Sequence, residues 1–259
     1  MANWSPAQYL KFEKQRTQPA LDLARRLNPA EARRIVDIGC GPGNSTRVLK
    51  DVLPQAEILG IDNSENMIRK AREKHPELEF QRLDADKELE RLADDWDAIF
   101  SNACLQWIPD HRTLIPRLMS RLRPGGMLAV QMPINGQETL YRIIEEVSAD
   151  PKWRLDAVKR ETNGTLEPAV FFDLLSGISE RFDLWETTYY HAMPDHEALL
   201  EWVKGTRLRP YLEALGEERG AAFEAEILAR AREAYPVQAN GEIIFRFRRL
   251  FFIAVRPEA

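Results

Sequence analysis

The chain has 259 residues, 44% hydrophobic and 30% charged, with a net charge of −5, which suits one α/β domain with an embellishment or two small domains. An acidic balance without a basic block speaks against nucleic acid as a partner, and two cysteines, Cys40 and Cys104, cannot build a disulfide framework or a structural zinc site. The start "MANWSPAQYLKFEKQ" lacks the apolar segment of a signal peptide, and the run "LFFIAV" near the C-terminus is far too short to span a bilayer. A cytoplasmic protein is expected, with no membrane partner, no metal and no obligate protein partner.

Residues 3–28 hold helical patches rich in aromatics. "RRIVDIG" (33–39) reads as a short buried strand ending in glycine, and "NSTRVLKDVLP" as a helix stopped by Pro54. "EILGID" (57–62) is a second strand. "SENMIRKAREKHP" offers Ser64 as a helix cap and Pro76 as a stop. "LEFQRLD" (78–84) and "WDAIFSN" (96–102) are further strands. "DHRTLIPRLMSRLRPGG" reads as a helix closed by Pro124 and two glycines, with Pro116 near a kink or break. "MLAVQMP" (127–133) is the fifth strand. Residues 137–180 are helical and irregular. "FDLWETTYYHAM" (182–193) is a sixth strand, and "EIIFRFRRLFFIAVR" (242–256) contains a seventh, with a mainly helical stretch between them. Repeated strand–helix units imply a mostly parallel sheet covered on both faces.

"VDIGCGPGNST" carries the first chemical signal. Gly39, Gly41 and Gly43 let the backbone approach a ligand where a Cβ would collide, and the loop feeds a helix whose first N–H groups lack partners. Asp62, ending the next strand beside Asn63, suits a ribose diol. A phosphate-binding Walker loop needs a Gly-Lys-Ser/Thr end, and "GPGNST" has no lysine. The dinucleotide fingerprint is G-x-G-x-x-G, whereas the spacing here is G-x-G-x-G. Asp37, two positions before the first glycine, suits a cationic amino group and suits pyrophosphate badly.

These residues resemble the first motif of the class I S-adenosylmethionine-dependent methyltransferases, over about residues 33–131. The resemblance implies a Rossmann-like α/β fold with a seven-stranded, mostly parallel sheet, helices on both faces and a helical lid. It implies S-adenosyl-L-methionine as cofactor, with S-adenosyl-L-homocysteine as product. By resemblance Asp62 holds the ribose, Asp84 accepts from the adenine amino group, Ala85 offers its backbone N–H, and Asn102 lies beside the transferable methyl. As a single domain, the chain would carry an N-terminal cap (1–30), a cofactor core (33–133) and helical lid insertions (137–180 and 196–240).

Strand four continues as "FSNACLQWIPDH", without the Asn/Asp-Pro-Pro-aromatic run of DNA adenine methyltransferases. Trp107 is expected to wall the acceptor site, and His111 to donate to an anion or act as a base. The N-terminal segment with Trp4, Tyr9, Phe12, Gln15 and Arg16 mixes aromatics with polar anchors. Arg207 and Arg209 lie in the expected lid, flanked by Trp202 and Tyr211, and Tyr190, His191 and Arg246 are expected to face the same cleft. Arginine suits bidentate carboxylate binding.

From "WSPAQYLKF" through "NACLQWIPDH" and "TTYYHAMPDHEALLEWVKGTRLRPYL" to the terminal "RLFFIAV", the chain resembles the trans-aconitate 2-methyltransferase family. That resemblance implies a small anionic tricarboxylate as substrate and its monomethyl ester as product, with Gln15, Arg16, Trp107, His111, Tyr190, Arg207, Arg209 and Arg246 as substrate contacts. A carboxylate is already ionised near neutral pH, so no essential general base is expected, and His111 would at most position the substrate. Rival readings are an O-methyltransferase for another small acid or hydroxylated metabolite, a nicotinamide oxidoreductase, and a non-catalytic sensor of the same cofactor.

Overall fold

The computed structural model of the protein describes residues 13–28, 30–158 and 165–258. The chain divides into two compact units. One, the sheet unit, comprises Lys14–Pro133, Asn163–Thr187 and Arg249–Ala259; the other, the helical unit, comprises Met1–Glu13, Ile134–Thr162 and Thr188–Arg248.

The elements follow in the order α1 (Glu13–Ala24), β1 (Arg34–Ile38), α2 (Asn44–Val52), β2 (Glu57–Asp62), α3 (Glu65–Lys74), β3 (Glu79–Arg82), β4 (Trp96–Asn102), α4 (His111–Ser120) and β5 (Leu122–Pro133). Then come α5 (Thr139–Ser148), α6 (Pro168–Ile178), β6 (Arg181–Met193), α7 (His196–Val203), a π-helical turn (Lys204–Leu208), α8 (Arg209–Ala234) and β7 (Ile243–Val255). The seven strands form one sheet in the order β3-β2-β1-β4-β5-β7-β6. β1 pairs in parallel with β2 and β4, β2 with β3, and β4 with β5, while β7 runs antiparallel to β5. This is the Rossmann-like methyltransferase topology, mostly parallel as the alternating strands and helices imply.

The pairing order explains the strand sequences. β1 lies between two parallel neighbours and reads as "RIVDI", with Ile35 to Ile38 all buried, because a strand covered on both faces has no solvent side to mark with polar residues. β3, at the sheet edge, buries only Phe80. Ser64 caps α3 as expected, its Oγ accepting from the Met67 N–H at 3.4 Å. Asp195 caps α7 in the same way, Oδ1 accepting from the Ala198 N–H at 2.7 Å.

Two expected boundaries move. The helix read over 110–126 ends at Ser120, and β5 begins at Leu122, which pairs with Trp96 before the register shifts between Trp96 and Ala98. The "RPGG" stretch is an irregularity inside the strand rather than a helix end. A Cβ on Gly126 would lie 2.9 Å from both the Arg123 and Trp96 carbonyl oxygens, so glycine there lets the strand close on its neighbour. Pro116 lies inside α4 without ending it. It stands near enough to the N-terminus that the carbonyl it cannot serve belongs to the exposed first turn.

The helical unit has its own core, in which Leu140 and Ile144 of α5, Leu199 and Val203 of α7, Phe223 and Ile227 of α8 and Phe245 of β7 cluster. Its α8 is kinked at Gly216, which takes φ 71 and ψ −177. Tyr235 braces the start of α5: its hydroxyl donates to Glu138 Oε1 at 2.6 Å and accepts from the Leu140 N–H at 2.8 Å.

Candidate active site

The site candidates of the sheet unit gather at the C-terminal ends of its parallel strands. Asp37, the penultimate residue of β1, is fully buried. Its Oδ2 accepts from Ser45 Oγ and Thr46 Oγ1, both at 2.7 Å, while Oδ1 is equally buried and meets no donor among the described residues. Burial pushes its carboxyl up to about 6, against the pull of those two hydroxyls and with a further push from the Asp62 charge.

The three loop glycines divide their work. A Cβ on Gly39 would fall 2.1 Å from Cys104 Sγ, and one on Gly43 2.8 Å from His75 Cδ2; these two serve the packing of the unit itself. Gly41 differs, because no described residue lies within 4 Å of where its Cβ would stand. Its N–H donates to Asp62 Oδ2 at 3.1 Å, and the Ser64 N–H donates to Asp62 Oδ1 at 2.9 Å. Asp62 thus ties the glycine loop to the start of α3, and each of its oxygens retains a lone pair for another donor. Burial raises its pKa as well. Two carboxylates close enough to disfavour each other's charge suit a cation or hydroxyl donors and repel a phosphate.

Asp84 Oδ1 accepts from the Asp86 N–H at 3.0 Å, which folds the turn after β3 and aligns Ala85, itself buried. Asn63 beside Asp62 is exposed, and its carbonyl accepts from Arg82 Nε at 3.3 Å. At the end of β4, Asn102 Oδ1 is buried without a partner among the described residues.

The comparisons with known proteins identify the family. Residues 35–126 match a family model described as a methyltransferase domain. A trans-aconitate 2-methyltransferase of Rhodopseudomonas palustris (strain BisB5) is 42% identical over 258 residues, 99% of this chain and 100% of the relative. Another, of Azoarcus sp. (strain BH72), is 44% identical over 256 residues, again 99% and 100%. The chain belongs to the trans-aconitate 2-methyltransferase family. It is a methyltransferase of the class that uses S-adenosylmethionine. Among solved structures, the YcgJ protein of Bacillus subtilis matches with a TM-score of 0.60 at 16% identity, over 93% of this chain and 100% of that one. A Haemonchus contortus phosphoethanolamine N-methyltransferase 2 with S-adenosyl-L-methionine matches with a TM-score of 0.54 at 20% identity, over 93% of this chain and 52% of that one. At these identities the likeness is one of fold.

The residues fit the donor. The orphaned Asp37 Oδ1 offers an acceptor to an ammonium group, the open space at Gly41 admits a ligand against bare backbone, and Asp62 can accept from a ribose. When bound, S-adenosylmethionine supplies a methyl group activated by a positively charged sulfur.

The acceptor-side expectations fare differently. His111 is buried at 1% exposure rather than presented to a substrate. Its Nε2 lies 2.7 Å from the Leu105 carbonyl oxygen, which can only accept, so Nε2 carries the proton. The ring packs on Phe171, and Phe171 on Phe252, at centroid distances of 5.6 and 5.5 Å. Phe252 pairs with Val130, one residue out of phase with the face that bears Asp37 and Asn102, so this stack lies on the opposite side of the sheet. His111 is a packing residue that ties down the turn before α4. Trp107 is 45% exposed in that turn.

In the helical unit, Tyr190 and His191 cannot face one cleft, because neighbours on a strand point to opposite sides. Tyr190 is 66% exposed, whereas His191 is buried against Trp202 and Phe247 at 5.1 and 5.9 Å. Arg246 is exposed, between buried Phe245 and Phe247. Arg207 sits in the π-helical turn, ion-paired with Glu145 and 5.5 Å from the Tyr141 ring centre. Arg209 is 3.7 Å from Glu213. Gln15 and Arg16 belong to α1, but their side chains, like Trp4, Tyr9 and Phe12, lie outside the described residues.

Among the buried polar residues of the sheet unit that escaped the sequence reading, a glutamine and an arginine stand out. Gln131 on β5 and Arg249 on β7 are both buried. A signal was present. In "IIFRFRRLFFIAV" the residues at 243, 245 and 247 are apolar and buried, and Arg249 continues their phase. Gln131 is the one polar residue in the apolar run "MLAVQM".

Proposed function

We propose that the protein transfers the methyl group of S-adenosylmethionine to a carboxylate of trans-aconitate, giving a monomethyl ester and S-adenosylhomocysteine. The observation that carries this reading is similarity at 42–44% identity, along 99% of the chain, to proteins named for that reaction.

The chemistry of the sheet unit is compatible with it. A carboxylate acceptor is already ionised near neutral pH, so forming the oxygen–methyl bond and breaking the sulfur–methyl bond leaves no proton to remove. The burial of His111 and its hold on the Leu105 carbonyl then cost the reaction nothing. The protein's task is to align the two reactants, keep water out and tolerate a cation whose charge disappears as the reaction proceeds. Asp37 and Asp62 would hold the donor's amino and ribose groups, Asp84 and Ala85 its adenine, and Asn102 would lie near the methyl. Trp107, Tyr190, Arg207, Arg209, Arg246, Gln15 and Arg16 are assigned to the substrate from the family resemblance.

The test is incubation with methyl-labelled S-adenosylmethionine and a panel of di- and tricarboxylates. Base-labile label recovered selectively as a trans-aconitate monoester is the expected result. Label that stays in the cofactor with every acid would overturn the reading, and selective labelling of another acid would reassign the substrate.

A further inference from the structure

Gln131 is fully buried, and among the described residues neither its Nε2 nor its Oε1 meets a hydrogen-bonding partner. An amide closed off from water normally bonds at both ends, because leaving a donor or acceptor unmade is costly. Its surroundings show what is missing. Asp37 pairs in register with Phe100, Phe100 with Ala129, and Asn102 with Gln131. Residues in register share a face, as do residues two apart along a strand. Asp37, Asn102 and Gln131 therefore stand on one face of three adjacent strands, each with a buried polar atom unmatched among the described residues.

The row continues onto β7. Gln131 pairs with Phe251 and Pro133 with Arg249, so Arg249 lies on the same face, one diagonal step from Gln131. It is 5% exposed and brings a full positive charge. Beside it the half-buried Trp185 ring stacks on Phe251 at 5.1 Å and 9°, and the Arg26 guanidinium lies 3.9 Å from the Trp185 ring centre.

Resting on the carboxylate reading above, we infer that Gln131 and Arg249 form the subsite that holds a polycarboxylate acceptor beside the methyl donor. The amide, adjacent to Asn102, holds the carboxylate that takes the methyl. A neutral N–H orients that oxygen without neutralising the charge that makes it a nucleophile, whereas an arginine there would blunt it. Arg249, about 7 Å further along the pleat, takes a second carboxylate. The charge gradient along the face, from Asp37 and Asp62 to Arg249, matches a cationic donor followed by an anionic acceptor.

The test uses the full-length enzyme and compares Gln131→Met, Arg249→Lys and Arg249→Met with the wild type. The readouts are kcat and KM for trans-aconitate or whichever carboxylate the wild type methylates, S-adenosylhomocysteine affinity, and melting temperature. Gln131→Met should lower kcat/KM by about tenfold or more, as expected for a lost hydrogen bond to an anion, with cofactor affinity within about twofold and melting temperature held. Arg249→Met should act mainly on KM, with Arg249→Lys recovering part of the loss. Gln131→Met fixes the outcome even where Arg249→Met fails to fold. If the wild type methylates a carboxylate and Gln131→Met matches it, ordered water satisfies the amide, and this inference alone falls. If the wild type methylates no carboxylate, the acceptor reading falls and this one with it.

Discussion

Gly39 and Cys104 stand so close that a β-carbon on Gly39 would lie 2.1 Å from Cys104 Sγ and 2.3 Å from its Cβ. Gly39 also has φ +73, a conformation that costs an L-residue about 1–2 kcal/mol. Adding overpacking, Gly39→Ala should destabilise the fold by about 2–5 kcal/mol. The cause can be isolated. Cys104→Gly should relieve part of the penalty in the double variant, whereas Cys104→Ala should not, because the Cys104 Cβ itself is in the way. Chemical denaturation of wild type, the single variants and both double variants measures this coupling, and equal losses with either partner would sink the steric account.

Gly41 should behave differently. Its φ is +54 but its Cβ would enter open space, so Gly41→Ala should cost only about 1–2 kcal/mol of stability. If that space receives the cofactor, S-adenosylhomocysteine affinity should fall by about tenfold or more, since a methyl group in a close-packed contact must displace something. Calorimetric titration of the folded variant checks it; unchanged affinity would place the cofactor elsewhere.

His111 offers a direct trial of a reaction without a general base. Removing its ring deletes the Phe171 contact and the bond to the Leu105 carbonyl, so His111→Ala should cost about 2–4 kcal/mol of stability. Turnover per folded molecule should stay within about tenfold of wild type, since a positioned acid or base typically contributes more than that. A kcat that collapses while substrate and cofactor affinities hold would make His111 a participant.

Tyr235 and Glu138 make a prediction confined to the helical unit. Tyr235→Phe removes a donor from a carboxylate that burial has already pushed up. The loss should be about 1–3 kcal/mol of stability, with cofactor affinity unchanged. A melting temperature equal to wild type would show that the hydroxyl contributes nothing.

The residues legible in advance were those whose chemistry depends on chain order. Asp37, Asp62, Asp84 and Asn102 each stand at or just beyond a strand end, and in a parallel sheet successive strand ends must gather on one edge, so their convergence follows once the strands are located. His111, and the placing of Tyr190 and His191 in one cleft, were misjudged for a different reason. Whether a polar side chain points into a site or into the core depends on strand phase and on what packs over it, and neither is visible in a motif. Phase alone would have separated Tyr190 from His191 and Arg249 from Arg246. The paired orphans on Gln131 could not be read at all, because only the packed interior shows that no described neighbour meets them. The early end of α4 was hidden too, since "RPGG" is as good a helix stop as a strand irregularity and only pairing of Leu122 with Trp96 decides between them.

Asp37 ties stability, pH and binding together. In the ligand-free protein burial raises its carboxyl to about 6 from 3.8. A group that holds its proton more tightly when folded adds stability at low pH. That contribution is fully present below about 3.8, is lost as pH rises through about 6, and amounts to about 3 kcal/mol. Asp37→Asn, which keeps an acceptor for Ser45 and Thr46, should therefore match wild type near pH 4 and exceed it in stability at neutral pH. Binding should run the other way. An ammonium group on the cofactor needs the ionised carboxylate, so wild-type affinity for S-adenosylhomocysteine should fall by about tenfold per pH unit below about 6. Asp37→Asn should bind more weakly throughout and lose that slope. Titrations between about pH 5 and 8 decide it: a wild-type affinity that stays flat across the range would mean that Asp37 braces the glycine loop through Ser45 and Thr46 and never meets the donor's charge.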